Sequence, residues 1–343
     1  MTVPSPRIAI VKLSSLGDVV HALPVARAIR RALPEAHLTW LVEAREHALI
    51  KDHPDLDTVV AVDTRRWRRL IWRPSGAREV LREVRGLRAT LRREALDVAI
   101  DLQGLIKSGL LTACTGARVR IGFRAARCRE RLSALFTNRR VLPPASARHV
   151  VEQYLSLVTP LGITPGPPEF HMPVPAAAEQ RMDELLAKEG VKRGARLVAI
   201  NPGAGRPEKL WPVASFRALA DRLATEADAR ILVLWGPAES HLAREIAVGL
   251  PGSGALLAPP TDLAELTALL RRCRLVIASD TGPLHLAAAL GTPALGLFGP
   301  TSGERNGPYG AACRALESPD GRMSGLDVET VFEAARAMLE VPT

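Results

Sequence analysis

Apolar runs of four or five residues alternate along the chain with longer stretches whose hydrophobic positions recur at helical spacing. In the first half the runs fall at residues 8–12, 38–42, 58–62 and 98–101, with a weaker one near 118–122. Between them the periodicity predicts helices over 19–32, 78–94 and 107–114. The theme restarts in the second half. "RLVAINPGAG" and "RILVLWGPAE" read as strands with their following loops, and "SFRALADRLA", "LAREIAVGL" and "LTALLRRC" as helices. "LVIASDTG" is a strand and loop, "LHLAAALG" a helix and "PALGLFG" a closing strand. Continuous Val, Ile and Leu runs, each followed by a helix, are what parallel strands covered on both faces require. The proline-rich "TPLGITPGPPEFHMPVP" between the halves reads as a linker. The expectation is an α/β protein of two doubly wound, Rossmann-like domains, 1–165 and 166–325, facing each other across a cleft and hinged near 163–176. A terminal segment, 326–343, carries a last helix expected to pack back on the first domain.

The length of 343 residues exceeds one comfortable core, in keeping with two domains. No apolar run approaches the roughly 20 residues of a membrane span. "MTVPSPR" leads into the first strand without an export signal. Cys114, Cys128, Cys273 and Cys313 are far apart and lack metal-ligand spacing, so a cytoplasmic protein with free thiols is expected. The net charge of +10 rests largely on arginine, most densely between residues 65 and 93, where "RRWRRLIWR" begins the run. Such a stretch is a solvated face, a nucleic-acid contact, or a seat for an anionic small molecule or membrane surface. With only two tyrosines, six phenylalanines and no recognition module, no nucleic-acid partner is expected. Arginines interleaved with Trp67 and Trp72 suit a segment resting at a lipid headgroup boundary.

Ligands of open α/β sheets bind at the carboxyl ends of the strands, so the loops there are the ones to read. Four are chemically loaded. In "SSLGD", Asp18 either joins Ser15 in capping the following helix or accepts a proton from a hydroxyl nucleophile. In "NPGAGRPEKLWP", Gly203 and Gly205 let the backbone approach a phosphate, and Lys209 adds a cation. In "LWGPAE", Glu239 is either a first-turn acid or an acceptor for sugar hydroxyls. In "SDTGPLHLAAALGTP", the Asp280-Thr281-Gly282 turn opens onto a helix N-terminus suited to a diphosphate, with His285 on the first turn beside it.

Taken together, "KLSSLGDVVHALP", "DLQGLIKSG", "KLWP" and "SDTGPLHLAAALGTPALGLFGPT" resemble the ADP-heptose-dependent lipopolysaccharide heptosyltransferases of glycosyltransferase family 9, most of all the enzymes that add the first heptose. The resemblance runs over nearly the whole chain. It implies a GT-B fold and inverting transfer of heptose from ADP-heptose onto Kdo of the lipid A inner core. Asp18 is then the general base. Lys209, Glu239, Asp280, Thr281, Gly282, His285, Gly203 and Gly205 serve the donor. Ser15, Arg65, Arg66, Arg68, Arg69, Lys107 and Arg129 serve the acceptor. The resemblance implies neither a metal nor a cofactor. The enzyme would sit at the cytoplasmic face of the inner membrane, touching its anionic surface transiently. Other readings are a second-heptose transferase, a GT-B enzyme with another sugar donor, a nucleotide-sugar epimerase, or a basic binding protein without activity.

Overall fold

A computed structural model describes residues 5–192, 194–236, 239–248 and 255–341. Met1 to Pro4, Pro237 and Ala238 of the third loop, and Gly249 and Leu250 at the expected end of a helix lie outside the described residues. The chain divides into two units between His171 and Met172, inside the expected hinge.

The first unit is built on six parallel strands: β1 (Arg7–Val11), β2 (His37–Glu43), β3 (Thr58–Val62), β4 (Val98–Asp101), β5 (Val119–Phe123) and β6 (Arg139–Val141). Their order is β3-β2-β1-β4-β5-β6. Ile8, Ala9, Ile10 and Val11 of the central β1 are fully buried, as a strand covered on both faces must be. The register pairs Ile8 with Leu38 on one side and Val98 on the other. The second unit repeats the plan with β7 (Leu197–Asn201), β8 (Arg230–Val233), β9 (Leu256–Leu257), β10 (Leu275–Ser279), β11 (Ala294–Phe298) and β12 (Cys313–Glu317), ordered β12-β11-β10-β7-β8-β9. Both sheets therefore reverse direction once, between β1 and β4 and between β7 and β10. These reversals leave a crevice at the strand ends in which doubly wound proteins hold their ligands.

β6, β9 and β12 escape the periodicity argument. Each lies at or beside a sheet edge, and β6 and β12 expose part of nearly every residue, so neither forms a continuous apolar run. The helix Thr64–Leu70 is likewise hidden inside the arginine stretch. The terminal helix Val328–Glu340 closes the chain. It is built into the second unit's own core, where Val331, Phe332, Ala335 and Leu339 are buried with Phe216 and Leu219 of the helix Val213–Glu226. The Arg222 guanidinium covers the Phe332 ring at 3.8 Å. No described helix is long and apolar enough to cross a membrane. The four cysteines are free.

Candidate active site

The first crevice begins where β1 ends. Lys12 follows Val11 and is only 3% exposed, a burial that a lysine tolerates only with partners. Its Nζ donates to the Tyr154 hydroxyl at 2.6 Å and to Asp18 Oδ1 at 3.3 Å. The Tyr154 hydroxyl itself donates to the same Oδ1 at 3.3 Å. The helix that carries Asp18 is Leu16–Ala32, starting earlier than periodicity suggests, with Ser15 at the N-cap. The Ser14–Ser15 peptide is cis. From the third helical position Asp18 Oδ2 reaches back to accept the Ser15 N–H at 3.1 Å and its hydroxyl at 3.0 Å. One carboxylate oxygen thus steadies the helix start while the other faces Lys12 and Tyr154. The two roles open to Asp18 are compatible.

Burial works against ionising Asp18. The Lys12 ammonium, the Ser15 N–H and His21 outweigh it and hold the carboxyl well below the usual carboxylate range. Lys12 is held charged in return: burial opposes its proton, while Asp18 and Tyr154 raise its affinity for it. Asp18 keeps a third of its side chain exposed, so a hydroxyl can reach it.

Across the reversal, β4 delivers the "DLQG" loop. Buried Asp101 accepts from Gln103 N, Gly104 N and the Ser108 hydroxyl, closing the loop on itself. Gln103 then ties the two strand ends together by accepting the Leu13 N–H at 2.7 Å. Gly104 has φ +65, and a Cβ there would meet Cys128 and Arg129 backbone at 3.3–3.4 Å. This close approach sets the exposed Arg129 beside the loop. Lys107, by contrast, is engaged. Its Nζ lies 3.2 Å from Glu43 Oε1, at the end of β2, and 3.2 Å from the Thr64 hydroxyl. Glu43 is buried and needs that cation.

The arginines of residues 65–69 also separate. Arg66 is bound to Glu79 and Glu83 of the helix Gly76–Arg93, and Trp67 donates to Glu83 at 2.7 Å. Those contacts brace one helix on the other. Arg65, Arg68 and Arg69 are exposed.

In the second unit the same layout carries the residues expected to serve a donor. Asn201 ends β7 and donates to the Thr281 hydroxyl at 3.2 Å, tying β7 to the loop after β10. Asp280 is the hub of that loop. It receives Lys209 Nζ at 2.5 Å, approaches His285 Nε2 at 3.0 Å and accepts the Thr301 hydroxyl at 3.1 Å. Burial again opposes the charge, but His285 and Lys209 hold the carboxyl well below its ordinary value. The helix Gly282–Ala289 starts here with Thr281 at its N-cap, so its first N–H groups lie at the strand end. Glu239 accepts the Gly236 N–H at 3.0 Å. A Cβ on Gly203 would fall 2.1 Å from the Glu239 carboxylate, whereas one on Gly205 would meet nothing within 4 Å. Gly203 is small for the sake of Glu239; at Gly205 the protein leaves open space.

Sequence reading missed Lys12, Tyr154, Gln103 and Thr301. A lysine closing a fully apolar strand was the one available signal. Tyr154 lies 136 positions from Asp18 in the chain, and only the fold brings them together.

Two Rossmann-ordered sheets, each with polar residues gathered at its reversal, are the plan of a two-domain fold of the GT-B type. The family model for glycosyltransferase family 9 (heptosyltransferase) matches residues 84–335. The chain is similar to lipopolysaccharide heptosyltransferase 1 of Pseudomonas aeruginosa, 35% identical over 89% of this chain and 81% of that protein. It is also similar to the solved structure of E. coli heptosyltransferase WaaC with ADP, with a TM-score of 0.80, 28% identity and coverage of 97% of this chain and 99% of that one. The structure of WaaC with ADP-2-deoxy-2-fluoro heptose matches at a TM-score of 0.78 and 28% identity, covering 96% and 99%. The chain belongs to glycosyltransferase family 9.

Proposed function

We propose that this enzyme transfers heptose from ADP-heptose to a Kdo sugar of the lipid A inner core, with inversion at the anomeric carbon. What supports the donor is the near full-length likeness to WaaC, whose structure carries a fluorinated ADP-heptose. What supports the chemistry is an ionised, reachable Asp18 in the first unit and, within the second, the Lys209–Asp280–His285 cluster.

In this reading the acceptor hydroxyl bonds to Asp18, and its oxygen attacks the anomeric carbon opposite the ADP group. The hydroxyl proton passes to the Asp18 carboxylate, and ADP leaves with the electron pair of the broken bond. A positioned carboxylate contributes on the order of 10²–10⁴-fold. Lys209 and the first N–H groups of Gly282–Ala289 would meet the charge developing on the diphosphate. Asp280 fixes Lys209 and His285 for that task, and Glu239 takes the ribose hydroxyls. The open backbone at Gly205 suits a close phosphate contact, while Gly203 serves Glu239. Ser15, Arg65, Arg68, Arg69 and Arg129 stand as acceptor contacts. Arg66 and Lys107 act through the helix and loop that they hold. The acceptor is a lipid, so the enzyme would work at the cytoplasmic face of the inner membrane as a peripheral protein.

Calorimetry with ADP-heptose, UDP-glucose and GDP-mannose tests the donor. ADP-heptose should bind and the others should not. A preference for UDP-glucose would overturn the heptose assignment.

A further inference from the structure

The turn between the helices Thr64–Leu70 and Gly76–Arg93 has an unusual surface. Trp72 is 86% exposed and Ile71 54%, so two large apolar side chains stand at the tip with no cover. Leu81, 48% exposed, follows on the second helix, three positions after Arg78 and four before Arg85, and so shares their face. Arg68, Arg69, Arg73 and Arg78 lie within about a turn of this tip in the chain, and Arg85 follows further along the second helix. All five are exposed, and none makes an ion pair among the described residues.

The tip is also tightly turned. Arg73 N donates to Leu70 O at 2.8 Å, and Gly76 N to Arg73 O at 3.0 Å. A Cβ on Gly76 would lie 1.8 Å from Leu70 O, so the chain reverses here as tightly as glycine allows. Behind it, Glu79 and Glu83 hold Arg66, and Glu83 also holds the Trp67 indole. Trp67 is therefore bracing, and Trp72 is the aromatic presented outward.

We propose that this tip is a wedge that enters the headgroup layer of an anionic bilayer: Trp72 and Ile71 insert, with Leu81 at the boundary, and the arginines meet lipid phosphates. The proposal rests on the peripheral-membrane reading above and names the element that makes the contact. An aromatic with an adjacent aliphatic gains by leaving water at such a boundary, and cations around it gain from the negative surface potential. A soluble acidic protein would meet the charge but would leave the apolar tip without a reason. A second copy would place like-charged tips against each other.

The test uses the full chain without sugar substrates and vesicles of phosphatidylcholine with about one-third phosphatidylglycerol, beside pure phosphatidylcholine. The wild type should bind the anionic vesicles and bind the neutral ones weakly. Trp72→Ala should weaken anionic binding about tenfold or more. Arg73→Gln with Arg78→Gln should cost roughly fivefold for each charge lost. With brominated lipid, quenching of tryptophan emission should vanish in Trp72→Phe and survive in Trp67→Phe. On a detergent-dispersed acceptor Trp72→Ala should turn over like the wild type.

If the wild type ignores anionic vesicles, the membrane reading itself fails. Binding that persists unchanged in Trp72→Ala, with quenching retained in Trp72→Phe, would overturn the wedge alone. Self-association in the absence of vesicles, lost in Trp72→Ala, would instead assign the tip to a second copy and would also overturn it.

Discussion

Replacing Lys12 with methionine separates the two things that hold Asp18. Methionine fills nearly the same volume and removes the ammonium, leaving the Ser15 N–H, the Ser15 hydroxyl and the Tyr154 hydroxyl in place. Unit charges 3.3 Å apart interact by roughly 1 kcal/mol in bulk water and about 5 kcal/mol at an effective dielectric near 20. Asp18 is a third exposed, which favours the lower part of that range. At 1.36 kcal/mol per unit, the Asp18 carboxyl should rise by roughly 1–2 pH units. The sign follows directly: losing a cation disfavours the carboxylate, so Asp18 is protonated at higher pH. Measured downward from neutral pH with a detergent-dispersed acceptor, to the lowest pH at which both proteins stay folded, the acid limb of kcat/KM should move upward by that amount. Turnover at the alkaline plateau should stay within about tenfold of the wild type. Tyr154→Phe removes a hydrogen bond but no charge and should move the limb far less. His21 and Asp101 also stand near the pair and remain in both variants. A folded Lys12→Met whose acid limb does not move would refute the claim that Lys12 keeps Asp18 ionised.

Three further outcomes follow from the packing. Gly203→Ala drives a methyl into the Glu239 carboxylate and should weaken ADP binding in calorimetry by tenfold or more, whereas Gly205→Ala should leave thermal stability unchanged. Any loss of ADP affinity in Gly205→Ala then reports a ligand against that backbone. Arg66→Ala should lower Tm by about one or two degrees because it takes an ion-pair partner from Glu79 and Glu83, while Arg65→Ala should change Tm less. Lys107→Ala should also destabilise the fold, since it leaves the buried Glu43 charge unpaired; a Tm equal to the wild type would return Lys107 to a purely ligand-binding role.

Much of the fold was legible because its central strands are buried on both faces and so are written as uninterrupted apolar runs. β1, β7 and β10 are of this kind. The edges β6 and β12 were not, because a half-exposed strand loses the pattern that announces it. The strand-end loops of Asp18, Lys209, Glu239 and Asp280 stood out because polar residues followed apolar runs directly. The division of labour within them did not. Nothing in "RRWRR" distinguishes Arg66, which faces two glutamates on the next helix, from Arg65 and Arg68, which face water. Nothing local explains why a side chain at Gly203, and not at Gly205, would displace the Glu239 carboxylate. The Lys12–Tyr154–Asp18 cluster depends on a helix end joining a strand end across the first unit, a long-range contact with no spacing to read.

The central claim is that Asp18 is the base in heptose transfer from ADP-heptose. Incubating the wild type and Asp18→Asn with ADP-heptose and Kdo-lipid A, and following product by mass, tests it most directly. The wild type should give an acceptor heavier by one heptose. Asp18→Asn should bind ADP-heptose as tightly but turn over about a hundredfold or more slower. Full turnover by folded Asp18→Asn, or no heptosylated product from the wild type, would contradict the account.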